Sequence, residues 1–477
     1  MANDSSTHYG KSYFDNRIRI HHDGDILNIH AIAIPMFERH TGENMFNLIT
    51  TFFDIICPTW RTKLIGIGSD GENTMTGHLQ GVVTRMEQAA DHEIYRVWCG
   101  LHQLDLVMKH GYSGLMDGEL VSILIALVTY LRAQPNLIAD MRATCPKFST
   151  RWIIMGTVAR WLLEHRVRIF QHFTAESTKS TNVNPPSWWW VVIAGLSALT
   201  EYVNIVFIKL QSKDLLISQQ ASELQKLAAD IFILFNVEGP FNEDEIANAK
   251  LQGLCCTYSR FRISYDNIIV FLYDQGMFIR EVLDSLLDEL HEKVICTVGD
   301  FILIVIDGII NIQAERDSRN RPTDDLPPVL PHELVRIRTG EFGIRVITKH
   351  LHQLRSSGWT DENIEQIERD HRALCLAYKV NLMFKLSIDR CDGNTSFQAG
   401  WQLVKDQYKS LRDFCGGIAT VFANTATVES DFSILGWEKD EYRMSLTDLS
   451  LEGIMQCKQF KLLHSLCSYD DDLGFIM

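Results

Sequence analysis

The chain has 477 residues, a net charge of −15 and a pI near 5.6, with 46% hydrophobic and 22% charged residues. That length exceeds the roughly 250–300 residues one hydrophobic core supports, so two or three cores are expected. The composition excludes wholesale disorder, and the acidic balance argues against a surface built throughout for gripping phosphate backbones.

Eleven Cys without a repeated spacing, and no basic or apolar leader in residues 1–7, read as a reduced intracellular chain. The longest apolar stretches are Trp188 to Leu199, Val121 to Leu131 and Phe301 to Ile312. All fall short of the ~18 residues of a membrane span, so no membrane contact is expected.

Residues 12–37 read as two strands. Arg17 to Ile20 alternates, His22-Asp23-Gly24-Asp25 is a hairpin turn, and Ile26 to Met36 continues with Ile29, Ala31 and Ala33 on one face. Residues 42–57 read as a helix with Met45, Leu48, Ile49, Phe52 and Phe53 on its apolar side. Leu64 to Ser69 is a buried strand that runs into Asp70 and a glycine-bearing turn. A helix from Thr76 to Gln88, a strand Ile94 to Trp98 and a helix from Leu101 complete the run. The order is hairpin, helix, strand, helix, strand, helix. This predicts an α/β fold with a mixed sheet of the ribonuclease H type. In that fold a central strand precedes the hairpin and carries the first carboxylate. Only three residues precede Asp4, so that strand is expected to be truncated and Asp4 to sit on a mobile terminus.

Four regions are expected. Residues 1–114 form the N-terminal part of the core. Residues 115–415 form a mostly helical insertion, with breaks at 174–187 and 317–331. Residues 416–465 complete the core, and 466–477 are an acidic tail.

Two-metal phosphoryl chemistry needs carboxylates from different elements, because Mg²⁺ prefers hard oxygen ligands. Asp4, Asp70 and Glu429 are the candidates, although nothing in the spacing singles Glu429 out of 60 acidic residues, and it reads equally as a solvated helix position. The first two are 66 residues apart (70 − 4), enough for a hairpin, a helix and a strand; Glu429 lies 359 residues beyond Asp70 (429 − 70). No loop is that long, so a domain must be inserted. Cys99-Gly100-Leu101-His102 has half of a zinc-site spacing, with no matching second pair. Arg151-Trp152 pairs a phosphate-gripping cation with a stacking ring, although Trp is more often core. Trp188-Trp189-Trp190 cannot face one way on a helix, so at least one indole is expected to meet solvent or a partner.

Ile67 to Gly77 resembles the second-aspartate motif of the hAT superfamily of DNA transposases. Trp98-Cys99-Gly100-Leu101-His102 to Leu106 resembles its Cys-x-x-His motif, and Thr150-Arg151-Trp152 its Arg-Trp motif. Ala426 to Ser433, continued by Arg443 and Leu449 to Gln459, is similar to its C-terminal dimerisation region. The resemblance implies a ribonuclease H-like core interrupted by an all-α insertion, with Asp4, Asp70 and Glu429 as a DDE triad holding Mg²⁺ or Mn²⁺. It implies DNA cleavage at transposon ends, Arg151 and Trp152 on DNA, Cys99 and His102 supporting the active-site edge, and a nuclear location. Residues 421–463 would pack on a second copy, with Leu449 and Leu451 in the contact. Two departures stand out: no BED-type zinc finger, and Ser430-Asp431 after Glu429 where the family commonly has Arg. With a truncated first strand, the cleavage site is expected to be incomplete. A non-catalytic dimerising scaffold or regulator is then the alternative.

Overall fold

The computed structural model describes residues 1–8, 10–90, 92–148, 154–175, 183–312, 328–439, 442–443 and 445–468. The chain forms two compact units. One comprises residues 1–100, 210–222 and 313–477, the other residues 101–209 and 223–312. The helical unit is thus narrower than the expected 115–415 insertion. Residues 328–415 belong with the sheet: the Lys409–Ala419 helix touches the hairpin strands Lys11–His22 and Asp25–Met36.

The first unit is built on five strands: β1 (Ala2–His8), β2 (Lys11–His22), β3 (Asp25–Met36), β4 (Gly66–Ser69) and β5 (Tyr95–Trp98). They form one mixed sheet in the order β3-β2-β1-β4-β5. β1 is antiparallel to β2, while β4 is parallel to both β1 and β5. The expectation of a truncated first strand is therefore corrected. Polar as they are, Ala2 to His8 pair with β2 at seven consecutive positions, and Gly68 N donates to Met1 O at 2.9 Å on the other side. Partners on both flanks satisfy the backbone that a low-propensity sequence alone would leave to water.

The hairpin turn is as expected. Asp23 (φ 47°) and Gly24 (φ 90°) take the left-handed conformations that a two-residue turn demands, and His22 pairs with Asp25. The alternation expected along β3 fails at one point. A bulge lets Arg17 pair with His30 while Asn16 pairs with Ile32, leaving Ala31 as the extra residue. His30 and Ala33, an odd number apart, consequently share a face, and Ala31 does not join Ile29 and Ala33 in the core.

Each face of the sheet is covered. Phe14 and Ile67 pack against Met45, Ile49 and Phe53 of the Gly42–Ile56 helix and Val82 and Met86 of the Val82–Ala89 helix. Glycines 77 and 81 split the single helix expected over 76–88, leaving a short Asn73–Thr76 turn before it. On the opposite face Ala2, Tyr13 and Ala33 meet Val428, Phe432 and Leu435 of the Ala426–Glu438 helix and Leu451 and Met455 of the Asp448–Lys458 helix. Each fully buried side chain of this kind contributes ~1.5–3 kcal/mol.

Asp448 pins the second of those helices, accepting from Lys11 Nζ and, at 2.9 Å, from Tyr13 Oη. Burial raises its carboxyl, but the bonds from Lys11 and Tyr13 and the Lys11 and Lys439 charges outweigh it and hold it below the usual carboxylate range. The ionised form is favoured by folding, so its contribution is present above the unfolded-state value and lost as pH falls through the lower folded value. Urea midpoints should therefore drop below about pH 4 more steeply in the native chain than in Asp448→Asn. Parallel acid limbs would remove Asp448 from this role.

In the second unit, the Ser187–Leu210 helix buries all three indoles: Trp188, Trp189 and Trp190 are 8%, 0% and 1% exposed. The expectation of an outward-facing indole is corrected because residues 188–197 of this helix are buried on every side, while its exposed positions, such as Ile205 and Ile208, come in the C-terminal half. Trp189 Nε1 donates to Leu120 O at 3.1 Å. By length and composition this 24-residue helix could cross a membrane, contrary to the estimate from Trp188 to Leu199 alone, yet most of it is buried within the unit. A small hairpin, β6 (Cys255–Tyr258) and β7 (Phe261–Ser264), lies in a region expected to be mostly helical.

Candidate active site

β1 and β4 run parallel with Ala2 beside Gly68. Two residues further along each chain come Asp4 and Asp70, so the register delivers the two carboxylates side by side at one sheet edge. Ala2 packs under the Ala426–Glu438 helix, and residues two apart on a strand share a face, so Asp4 points to that helix as well. Glu429 is in the first turn of the same helix, which packs on β1. Three carboxylates from three elements thus converge.

Their electrostatics register the convergence. Burial first, and then the charge of Asp70, push the Asp4 carboxyl well above the usual carboxylate range. The Ser5 N–H, 2.7 Å from Asp4 Oδ1, pulls the other way, while Glu429 and Glu72 add further repulsion. Carboxylate oxygens are the donor type a hard divalent ion prefers, although among the described residues it is Asp15, His30 and Asp431 whose ligand atoms all lie within 4.8 Å of one another.

The turn after β4 is tightly held. Asp70 Oδ1 accepts from Glu72 N at 3.0 Å, and Asp70 O accepts from Trp98 Nε1 at 2.9 Å. Gly71 has φ 89°, and a Cβ there would lie 1.9 Å from Trp98 Nε1. Thr76 Oγ1 donates to Gly71 O at 3.0 Å.

Cys99 is fully buried, its N–H donates to Ser69 O at 2.9 Å, and its Sγ accepts from Thr425 N at 3.4 Å. It therefore ties the end of β4 to the start of the helix that carries Glu429. His102 follows in the first turn of the Gly100–Ser113 helix, within the second unit, half-buried. Arg151 and Trp152 lie outside the described residues.

A second polar cluster escaped the sequence altogether. Asp15 pairs directly with Asp4 across β1 and β2, on the same face. Its Oδ1 is 3.2 Å from His30 Nδ1, and Asp431 Oδ2 is 3.4 Å from the same nitrogen. Arg17 bonds both oxygens of Asp431, and Glu452 faces His30 Nε2. Residues 15, 30, 431 and 452 form no local motif, and the bulge that turns His30 inward leaves no mark in hydrophobic alternation. No protein-family model matches the sequence.

Proposed function

We propose that this chain is a hAT-transposase-derived protein with a ribonuclease H-like core, acting in the nucleus as a metal-dependent DNA-cleaving and strand-joining enzyme that self-associates. The carrying observation is the meeting of Asp4, Asp70 and Glu429 at one edge of a sheet ordered β3-β2-β1-β4-β5. An antiparallel hairpin leading into parallel strands, with a carboxylate on the central strand, supports that fold. The seven-residue β1 removes the sequence-based ground for an incomplete site.

Bound Mg²⁺ or Mn²⁺ would supply Lewis-acid stabilisation of the attacking and leaving oxygens of an in-line displacement. Asp4, Asp70 and Glu429 would hold it. The chain's own contribution is orientation: the Glu72 N–H fixes the Asp70 carboxylate, Trp98 fixes its carbonyl, and Cys99 fixes the base of the Glu429 helix. Arg151 and Trp152 would contact DNA by the family pattern.

Duplex DNA from either side of the coding sequence, incubated with the full chain and Mn²⁺, tests the reading. Cleavage is expected, reduced at least ~10³-fold by Asp70→Asn. A folded chain that leaves such DNA intact would transfer the reading to a dimerising scaffold or regulator. The net charge of −15 and the Ser430-Asp431 pair after Glu429 favour that second reading, since both weaken the attraction for a polyanion.

Self-association rests on apolar side chains left outside the fold. Trp437, Leu449 and Phe460 are 81%, 84% and 62% exposed, whereas Leu451 is 2% exposed and belongs to the core. Leu451 is thus corrected from contact to core. Leu449→Lys combined with Trp437→Lys is expected to convert a sedimenting dimer to monomer with unchanged circular dichroism. Unaltered sedimentation would place the contact elsewhere.

A further inference from the structure

We propose that His30 Nδ1, Asp15 and Asp431 bind one divalent transition-metal ion, Zn²⁺ by preference, as a structural centre separate from the Asp4–Asp70–Glu429 edge. The inference does not depend on the catalytic reading.

Three observations carry it. The first is an unmet demand. Asp15, His30 and Asp431 are 0%, 2% and 1% exposed, and neither oxygen of Asp15 nor Nδ1 of His30 has a hydrogen-bond partner. The nitrogen and the carboxylates are close, at 3.2 and 3.4 Å, but their directions do not make hydrogen bonds. Leaving such groups buried and unmet opposes folding, the more so when they are charged.

The second is shape. The candidate ligand atoms of the three residues lie within 4.8 Å of one another. Zinc bonds of ~2.0–2.1 Å to nitrogen and oxygen give a tetrahedral edge of about 3.4 Å. The two measured separations, 3.2 and 3.4 Å, match that edge. Asp15, His30 and Asp431 supply three corners of that tetrahedron, and a water molecule would take the fourth.

The third is the surrounding shell. Both Glu452 oxygens lie 3.2 Å from His30 Nε2, the carboxylate–histidine arrangement that places the ring proton on Nε2 and the lone pair on Nδ1. Facing two carboxylates, that nitrogen requires a cation: the proton that its three carboxylate neighbours favour, or a metal ion that replaces it. With the imidazole neutral, as metal ligation requires, three carboxylates and the Arg17 guanidinium carry a local charge of minus two, which a divalent ion cancels. Its ligands come from β2, β3 and the Ala426–Glu438 helix. The ion would therefore rivet that helix to the sheet two residues beyond Glu429.

The test is metal stoichiometry on the full chain, in an Asp4→Asn/Asp70→Asn background that disables the other carboxylate edge. After chelation and dialysis, titrated Zn²⁺ should bind at one equivalent per chain and raise the melting temperature by at least ~3 °C. Asp15→Asn or His30→Gln should lose that equivalent, with folding followed by circular dichroism. Glu452→Gln should weaken binding about 10–100-fold. Co²⁺ in place of Zn²⁺ should give visible tetrahedral bands without the thiolate charge-transfer absorption of a Cys site.

A folded chain that takes up no Zn²⁺ would overturn the proposal and leave a doubly protonated His30 as the cation. Retention of Zn²⁺ by both folded variants would overturn it equally. If the variants fail to fold, the Co²⁺ spectrum of the parent chain decides: nitrogen–oxygen tetrahedral bands support the site, and their absence or a thiolate band overturns it.

Discussion

Asp4→Asn is expected to make the chain more stable and catalytically dead. The Asp4 carboxyl is held above the usual range by burial and by the charges of Asp70, Glu429 and Glu72. At neutral pH its ionised form therefore works against folding, and an amide of the same shape removes that repulsion. The melting temperature should rise in EDTA. In millimolar Mg²⁺ or Mn²⁺ the difference should shrink or reverse, because only the native chain gains the ion's binding energy. With the ion present, the proposed cleavage should fall at least ~10³-fold. A lower melting temperature for Asp4→Asn in EDTA would show that the charge is already compensated, and would count against a cation at this edge.

Gly71→Ala is expected to damage both stability and cleavage without touching a carboxylate. At φ 89° an alanine is strained in any space, and here its Cβ would fall 1.9 Å from the Trp98 indole nitrogen. That nitrogen holds the Asp70 carbonyl, so either the indole or the turn must move. The loss should be about 2–4 kcal/mol in denaturant titrations. A displacement of ~1 Å at Asp70 should cost roughly 10²-fold in cleavage. Trp98→Ala should relieve the clash, so the double variant should be less destabilised than the two single losses added together. Strict additivity would mean that backbone strain, not the indole, carries the effect.

Much of the sheet was legible because its signals are local. Asp23-Gly24 announces a two-residue turn, and Ile67-Gly68-Ser69-Asp70-Gly71 announces a buried strand ending in a carboxylate. β1 was not legible: Asn3-Asp4-Ser5-Ser6-Thr7 has little strand propensity, and its conformation comes from neighbours on both sides. The bulge at Ala31 was hidden for a related reason, since reversing which residues face inward depends on pairing rather than composition. The triple Trp was misjudged because periodicity reports how many faces are apolar, not how many are covered. Leu449 and Leu451, two residues apart on one helix, look equivalent in sequence, yet only Leu449 is exposed. The division at residue 313 was equally hidden, because helices that pack on a sheet and helices that pack on one another share the same apolar period.

The face of β1 that carries Asp4 is closed by residues 426–458, more than four hundred positions later. During synthesis at about 5–20 residues per second, the ribosome needs roughly 20–90 s to travel from one to the other. Throughout that interval the nascent sheet exposes Ala2, Tyr13 and Ala33, and Asp4 lacks its third carboxylate. The most central strand is the first of the five to be translated and the last to be completed. Chaperone occupancy should accordingly concentrate on β1 to β3, and the edge that brings Asp4 to Glu429 is assembled only when translation is almost over.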